Sequence, residues 1–260
     1  MVTLSPQSRS LAVGYGLGIS GPVLAFLLTL PPVFVLTLAG VSSVVVLLTV
    51  SFVFGQYLPF MAFPLAYFRY VRGMDWAEIR EYLGVRVPSL RELGVVVVGF
   101  FAVLVLALGT IYVVTEIVGA TPAENTAGEL AQQLPRIIPL FIVASLVVIG
   151  PCEETLFRGA VQNRLRESFS APVAITLAAV LFAVVHVTAL TGGLQARAVT
   201  IGILLVPSFV FGTVYEYTEN LVVPALVHGI WNAFIFTSLY VTLVIAPESG
   251  SAAVLAPRLG

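Results

Sequence analysis

The sequence predicts an all-α polytopic membrane protein, a bundle of about seven to eight spans, each needing ~20 apolar residues, with a polar site buried among spans four, five and seven. Three observations carry this. Of the 260 residues, 59% are hydrophobic and only 10% charged, with mean hydropathy +1.05; a soluble domain carries about 25% charged residues. No charged residue occurs from Ser10 to Phe68. The period-two alternation of a membrane barrel is absent.

The elements follow in order. Spans one and two lie within residues 11–70, with a turn near Gly40-Val41-Ser42-Ser43 and prolines Pro22, Pro31, Pro32, Pro59 and Pro64 in or beside them. Prolines are tolerated in membrane helices because neighbours satisfy the freed backbone groups. The first apolar stretch is too long, and lacks the cleavage site, for a signal peptide, so it reads as a retained helix. From Arg69 to Glu92 a charged stretch with Tyr70, Trp76 and Tyr82 suits an interfacial amphipathic segment with headgroup-level aromatics. Span three runs from about Leu93 to Val118, and a polar loop covers Gly119 to Leu134. Spans four to seven run from Arg136 to Arg166, Pro172 to Leu190, Val199 to Tyr215 and Leu221 to Ile245. The chain divides into N-terminal helices with the interfacial segment (1–135), a helical core (136–246) and a frayed tail (247–260). No internal repeat is visible.

Charge fixes an orientation and excludes partners. Arg69, Arg72, Arg80, Arg86 and Arg91 follow span two, Arg164 and Arg166 follow span four, and Arg9 precedes span one. The positive-inside rule then places the N-terminus and the even-numbered loops in the cytoplasm of a multi-pass cell-membrane protein; Arg136 and Arg197 fall on the other side. The net charge of −1 implies nothing about nucleic acid, but no basic cluster of the kind a nucleic-acid partner needs is present. The single cysteine, Cys152, excludes an internal disulfide and, with no base beside it, does not read as a nucleophile. The bilayer is the partner the composition demands, and nothing in the sequence sets an oligomeric state.

Ionisable groups inside apolar spans are expensive and mark pathways, partners or chemistry. Glu153, Glu154 and Arg158 interrupt span four, His186 sits in span five, and His228 and Asn232 sit in span seven. Counted from the connections after spans four and six, at ~1.5 Å per residue, Glu153, His186 and Asn232 lie roughly 20 Å from one membrane side, with His228 one turn shallower. Convergence at one depth argues for one site, opening to the cytoplasmic side. His228 and Asn232 are i,i+4 and share a helix face; Glu154 and Arg158, also i,i+4, form an ion pair. Glu153 points about 100° away from Glu154 and has no basic residue at i+3 or i+4, making it the better candidate general base. Phe182, one turn before His186, walls the site.

These residues carry a resemblance. Pro151-Cys-Glu-Glu-Thr-Leu-Phe-Arg-Gly159 resembles the EExxxR motif of the CPBP family, the CAAX-processing type II (ABI) intramembrane endopeptidases. Phe182-Ala-Val-Val-His186 resembles its FxxxH motif and His228-Gly-Ile-Trp-Asn232 its HxxxN motif, in family order across successive spans, with the likeness running from about Pro139 to Phe236. The resemblance implies an endopeptidase acting on membrane-associated peptides or proteins, prenylated CAAX-type tails among them. It implies Glu153 as base, His186 orienting the water, and His228 and Asn232 donating to the oxyanion, with Glu154, Arg158 and Phe182 in support. It implies no cofactor, the alternative being zinc on Glu153, His186 and His228, a two-histidine, one-carboxylate set with an open position. The competing readings are a proton-coupled transporter, which would show repeats and half-helices, and a non-catalytic membrane scaffold.

Overall fold

The structure is a computed structural model that describes residues 4–246; the predicted tail, 247–260, lies outside the described residues. Its helices are α1 (Pro6–Leu38), α2 (Val44–Val71), α3 (Trp76–Tyr82), α4 (Leu90–Ile117), α5 (Thr126–Gln133), α6 (Pro135–Arg166), α7 (Ala171–Ala189), α8 (Leu194–Thr218) and α9 (Val222–Ile245). Seven helices among the described residues are long and apolar enough to cross a membrane, every one except α3 and α5. With no strand among them, the protein is an integral membrane bundle of helices.

Local chemistry explains where the chain turns. Ser5 caps α1 by accepting from the Ser8 N–H, and Gly40, at φ 80°, makes the turn into α2 that an L side chain would strain. Asp75 and Glu78 form a reciprocal capping box on α3, and Ser89 and Glu92 form another on α4. The predicted interfacial segment is therefore a short helix that buries Ile79 and Leu83 and leaves Trp76 exposed. One expectation is corrected: residues 119–134 are not loop throughout. Asn125 caps Ala127, and α5 follows; a single Asx cap within a polar stretch suffices to start a helix. The sixth span also begins earlier than predicted, at Leu194, because Arg197 lies in the first turns and donates to the Gly192 carbonyl.

Polar contacts define two ends of the bundle. At one end Ser10 meets Ser168 at 2.9 Å, Arg72 and Tyr82 reach Glu167 at 2.7 and 2.9 Å, and Arg166 pairs with Glu216 at 2.8 Å. The chain start and the connections after α2, α6 and α8 thus share one end, rich in arginine. At the other end the Ala123 N–H donates to Thr200 Oγ1 at 2.8 Å, and Asn125 pairs with Leu190 through a single β-bridge.

The crossing of α6 and α9 sets the site. A Cβ on Gly229 would stand 2.8 Å from the Ser145 carbonyl oxygen and 3.1 Å from Leu146 Cα; one on Gly150 would stand 2.8 Å from the Ala225 carbonyl oxygen and 2.9 Å from the Gly229 nitrogen. Backbone meets backbone here, the close approach that small residues allow in membranes. Gly229→Val is expected to force the helices apart and lower stability by at least about 1–3 kcal/mol, the usual cost of overpacking. Thermal unfolding in detergent checks this; an unchanged midpoint would refute the close crossing.

Candidate active site

α6 carries the central residues on an irregular stretch. A regular turn, Gly150–Glu154, lies between wider i→i+5 turns at Ser145–Ile149 and Thr155–Gln162. Pro151 has no N–H to give the preceding turn, which favours such loosening. The result points Glu153 and Glu154 toward α7 and α9, with both residues buried.

Glu154 is the hub of a buried network. Its Oε1 accepts from Arg158 Nη1 at 2.9 Å and from His228 Nδ1 at 2.8 Å. Arg158 Nη2 donates to the carbonyl and the hydroxyl of Ser208 on α8, each at 2.8 Å. The guanidinium lies 4.8 Å from the Phe182 ring and 5.3 Å from the Phe211 ring, close enough for cation–π attraction to both. Phe211 also stacks on His228, with centroids 4.6 Å apart and planes 15° apart. Three helices besides α6 therefore hold one arginine and one histidine in place.

Glu153 faces the other way, as its helical angle predicts, and it is not alone. Its Oε1 accepts from Gln56 Nε2 on α2 at 3.1 Å. Its Oε2 lies 3.7 Å from His186 Nε2 and 3.8 Å from His228 Nε2. The tautomers follow from the partners. His186 Nδ1 sits 2.6 Å from the Phe182 carbonyl, and His228 Nδ1 sits on the Glu154 carboxylate. A carbonyl and an ionised carboxylate only accept, so each Nδ1 carries a hydrogen. Both rings are thereby fixed with Nε2 turned to the same carboxylate oxygen. Phe182 is the shared wall, 4.4 Å from the His186 ring and 5.9 Å from the His228 ring.

The structure brings together Glu153, Glu154, Arg158, Phe182, His186 and His228 from three spans. Asn232 stands one turn beyond His228 on α9, half-buried, with no side-chain hydrogen bond among the described residues. His186 is the more open imidazole, with 21% of its side chain exposed against 5% for His228. It lies in the final turn of α7, next to the connection that follows.

Charge constrains the cluster. Glu153 and Glu154 with Arg158 leave one negative charge in a buried setting, where an uncompensated ion costs several kcal/mol. One proton shared by Glu153, His186 and His228 makes the cluster neutral. For a metal, the donor chemistry fits zinc: one carboxylate and two imidazoles whose Nδ1–H groups are anchored to a carbonyl and a carboxylate, as the outer N–H groups of metal-binding histidines are. As the side chains stand, no group of three or more His, Cys, Asp or Glu among the described residues is gathered tightly enough to hold an ion.

Sequence reasoning gave no role to Gln56, Ser208 or Phe211, although Phe211 opens a stretch, Phe211-Gly-Thr-Val-Tyr215, that resembles the family's approach to the last motif. Gln56 had a readable signal: it is the one amide in an apolar run with no charged residue from Ser10 to Phe68. Ser208 beside Pro207 reads as packing, and Phe211 as core.

Residues 135–234 match the protein family described as Rce1-like, type II CAAX prenyl endopeptidase Rce1-like. The matched segment holds all three motifs and supports a CPBP-family intramembrane endopeptidase, a hydrolase set in a helical membrane bundle. No curated protein and no solved structure matches the chain.

Proposed function

We propose, from the Rce1-like match and the geometry of the cluster, that the chain hydrolyses peptide bonds of membrane-associated peptides or proteins with a water activated by Glu153. One observation carries this: two imidazole Nε2 atoms face one oxygen of a buried carboxylate across 3.7 and 3.8 Å. Polar groups that oppose each other beyond 3.5 Å are spaced for a bridging water. Such a water would donate to Glu153 Oε2 and to His186 Nε2 at about 2.8 Å each, leaving its lone pairs free for a carbonyl carbon.

The steps balance. As the water oxygen bonds to the scissile carbon, its proton passes to Glu153. The carbonyl oxygen becomes an oxyanion and accepts from Asn232 Nδ2 and, when His228 holds the cluster's extra proton, from its Nε2. Each such donor is typically worth about 3–4 kcal/mol in a desolvated site. Asn232, whose side chain makes no hydrogen bond among the described residues, has both amide hydrogens to give. The proton on Glu153 then moves to the leaving nitrogen as the C–N bond breaks, giving a carboxylic acid and an amine. Arg158, Glu154 and Phe182 hold His228 and the site wall.

We place the chain in the cell membrane, where the positive-inside rule would put its arginine-rich end in the cytoplasm. A prenylated CAAX-type tail is the specific substrate that the family description offers. Fluorogenic peptides in prenylated and plain pairs test it: a preference for the prenylated member is expected if such tails are the substrate. Equal cleavage of both would leave a peptidase without prenyl specificity. A chelator arm tests the metal-free reading. Activity is expected to survive chelation; loss on chelation with rescue by zinc would make Glu153, His186 and His228 ligands.

A further inference from the structure

Gln56 lies on α2, outside residues 135–234 and so outside the family match. Its place is set by packing. Gly55 packs against Thr29 of α1, whose Oγ1 would stand 2.7 Å from a Cβ there. Phe60, one turn further, packs on Phe157 of α6 with ring centroids 6.3 Å apart. α2 is thus held by α1 on one face and α6 on the other, and Gln56 is turned onto Glu153.

The orientation of the amide follows from its neighbour. Glu153 as a carboxylate only accepts, so the NH2 end of Gln56 must face it, at 3.1 Å. This commits Oε1 of Glu153 and leaves Oε2 to the imidazoles. The other end, Gln56 Oε1, is buried with no hydrogen-bond partner among the described residues. A buried acceptor left unpaired is costly, and buried polar groups are nearly always satisfied. A donor is therefore missing beside the proposed base, and an extended peptide in the site would bring one, its backbone N–H.

We propose that Gln56 is a positioning residue and a substrate subsite: its NH2 fixes the Glu153 carboxylate, and its carbonyl oxygen accepts a backbone N–H of the bound peptide. The inference rests on the peptidase reading above. It assigns to an N-terminal helix, outside the motif core, a share in both base orientation and substrate register.

The test uses full-length protein in detergent, wild type beside Gln56→Met, which keeps length and removes both polar ends. Substrates are one cleaved peptide and its ester analogues, each replacing one non-scissile N–H by oxygen. In wild type one position is expected to show a penalty of about five- to tenfold in kcat/KM, the worth of one hydrogen bond. In Gln56→Met that penalty is expected to vanish, with kcat about ten- to a hundredfold lower, the range known for loss of a hydrogen-bond partner that orients a metal ligand. The variant also strips the buried Glu153 carboxylate of a donor and so is expected to melt somewhat lower; the ester penalty, which a purely structural glutamine would not set, is the deciding readout. Unchanged kcat, or an ester penalty that persists in the variant, overturns the inference alone. Wild-type protein that cleaves no peptide overturns the peptidase reading and this inference with it.

Discussion

Glu153→Gln is expected to lower kcat by about 10²–10⁴-fold, the usual contribution of a positioned general base, with the fold intact. The amide keeps the carboxylate's size and one oxygen, so the contact from Gln56 at 3.1 Å can persist. Its new NH2 group can donate to the His186 and His228 Nε2 atoms that now face Oε2. What it cannot do is take a proton from water. The variant should therefore insert and melt like wild type while cleavage is lost. Loss of cleavage together with a collapsed melting transition would instead assign Glu153 a structural role.

Arg158→Met should be the most destabilising single change in the cluster, by about 3–5 kcal/mol, the cost of breaking a buried pair by removing one member. Arg158 is 1% exposed and Glu154 fully buried. Without the guanidinium, Glu154 keeps only His228 Nδ1 as a donor, and Ser208 loses two hydrogen bonds. Phe182 and Phe211 lose the cation between them. Adding Glu154→Gln should recover part of the loss, because the stranded charge disappears with it. Chemical unfolding of the single and double variants checks both statements; equal stability of Arg158→Met and wild type would contradict them.

Much of this architecture was readable from residues. Long apolar runs and a few turn signals placed every span to within a few residues, since in a membrane the backbone has no alternative to helix. Helical angle separated Glu153 from Glu154: in the structure Glu153 meets Gln56 and His186 and Glu154 meets Arg158, while the two share His228 through its two ring nitrogens. Depth counting brought span four, five and seven residues to one level, although it took the connection after α6 as the reference for His186, which lies close to the opposite end of α7. What the sequence hid was rotation and tilt. Gln56 meets Glu153 across 97 positions of chain, and only the packing of α1, α2 and α6 shows it. The hydrogen bond from His228 to Glu154 was equally hidden, because the i,i+4 spacing of Glu154 and Arg158 already supplied a complete-looking pair. The α5 helix went unread because polar composition outweighed a single Asn cap.

The most direct measurement is cleavage of a peptide panel by purified protein, with wild type and Glu153→Gln assayed side by side at equal, verified folding. The account predicts turnover by wild type and a drop of about 10²–10⁴-fold in the variant. Wild-type-like cleavage by Glu153→Gln would contradict it.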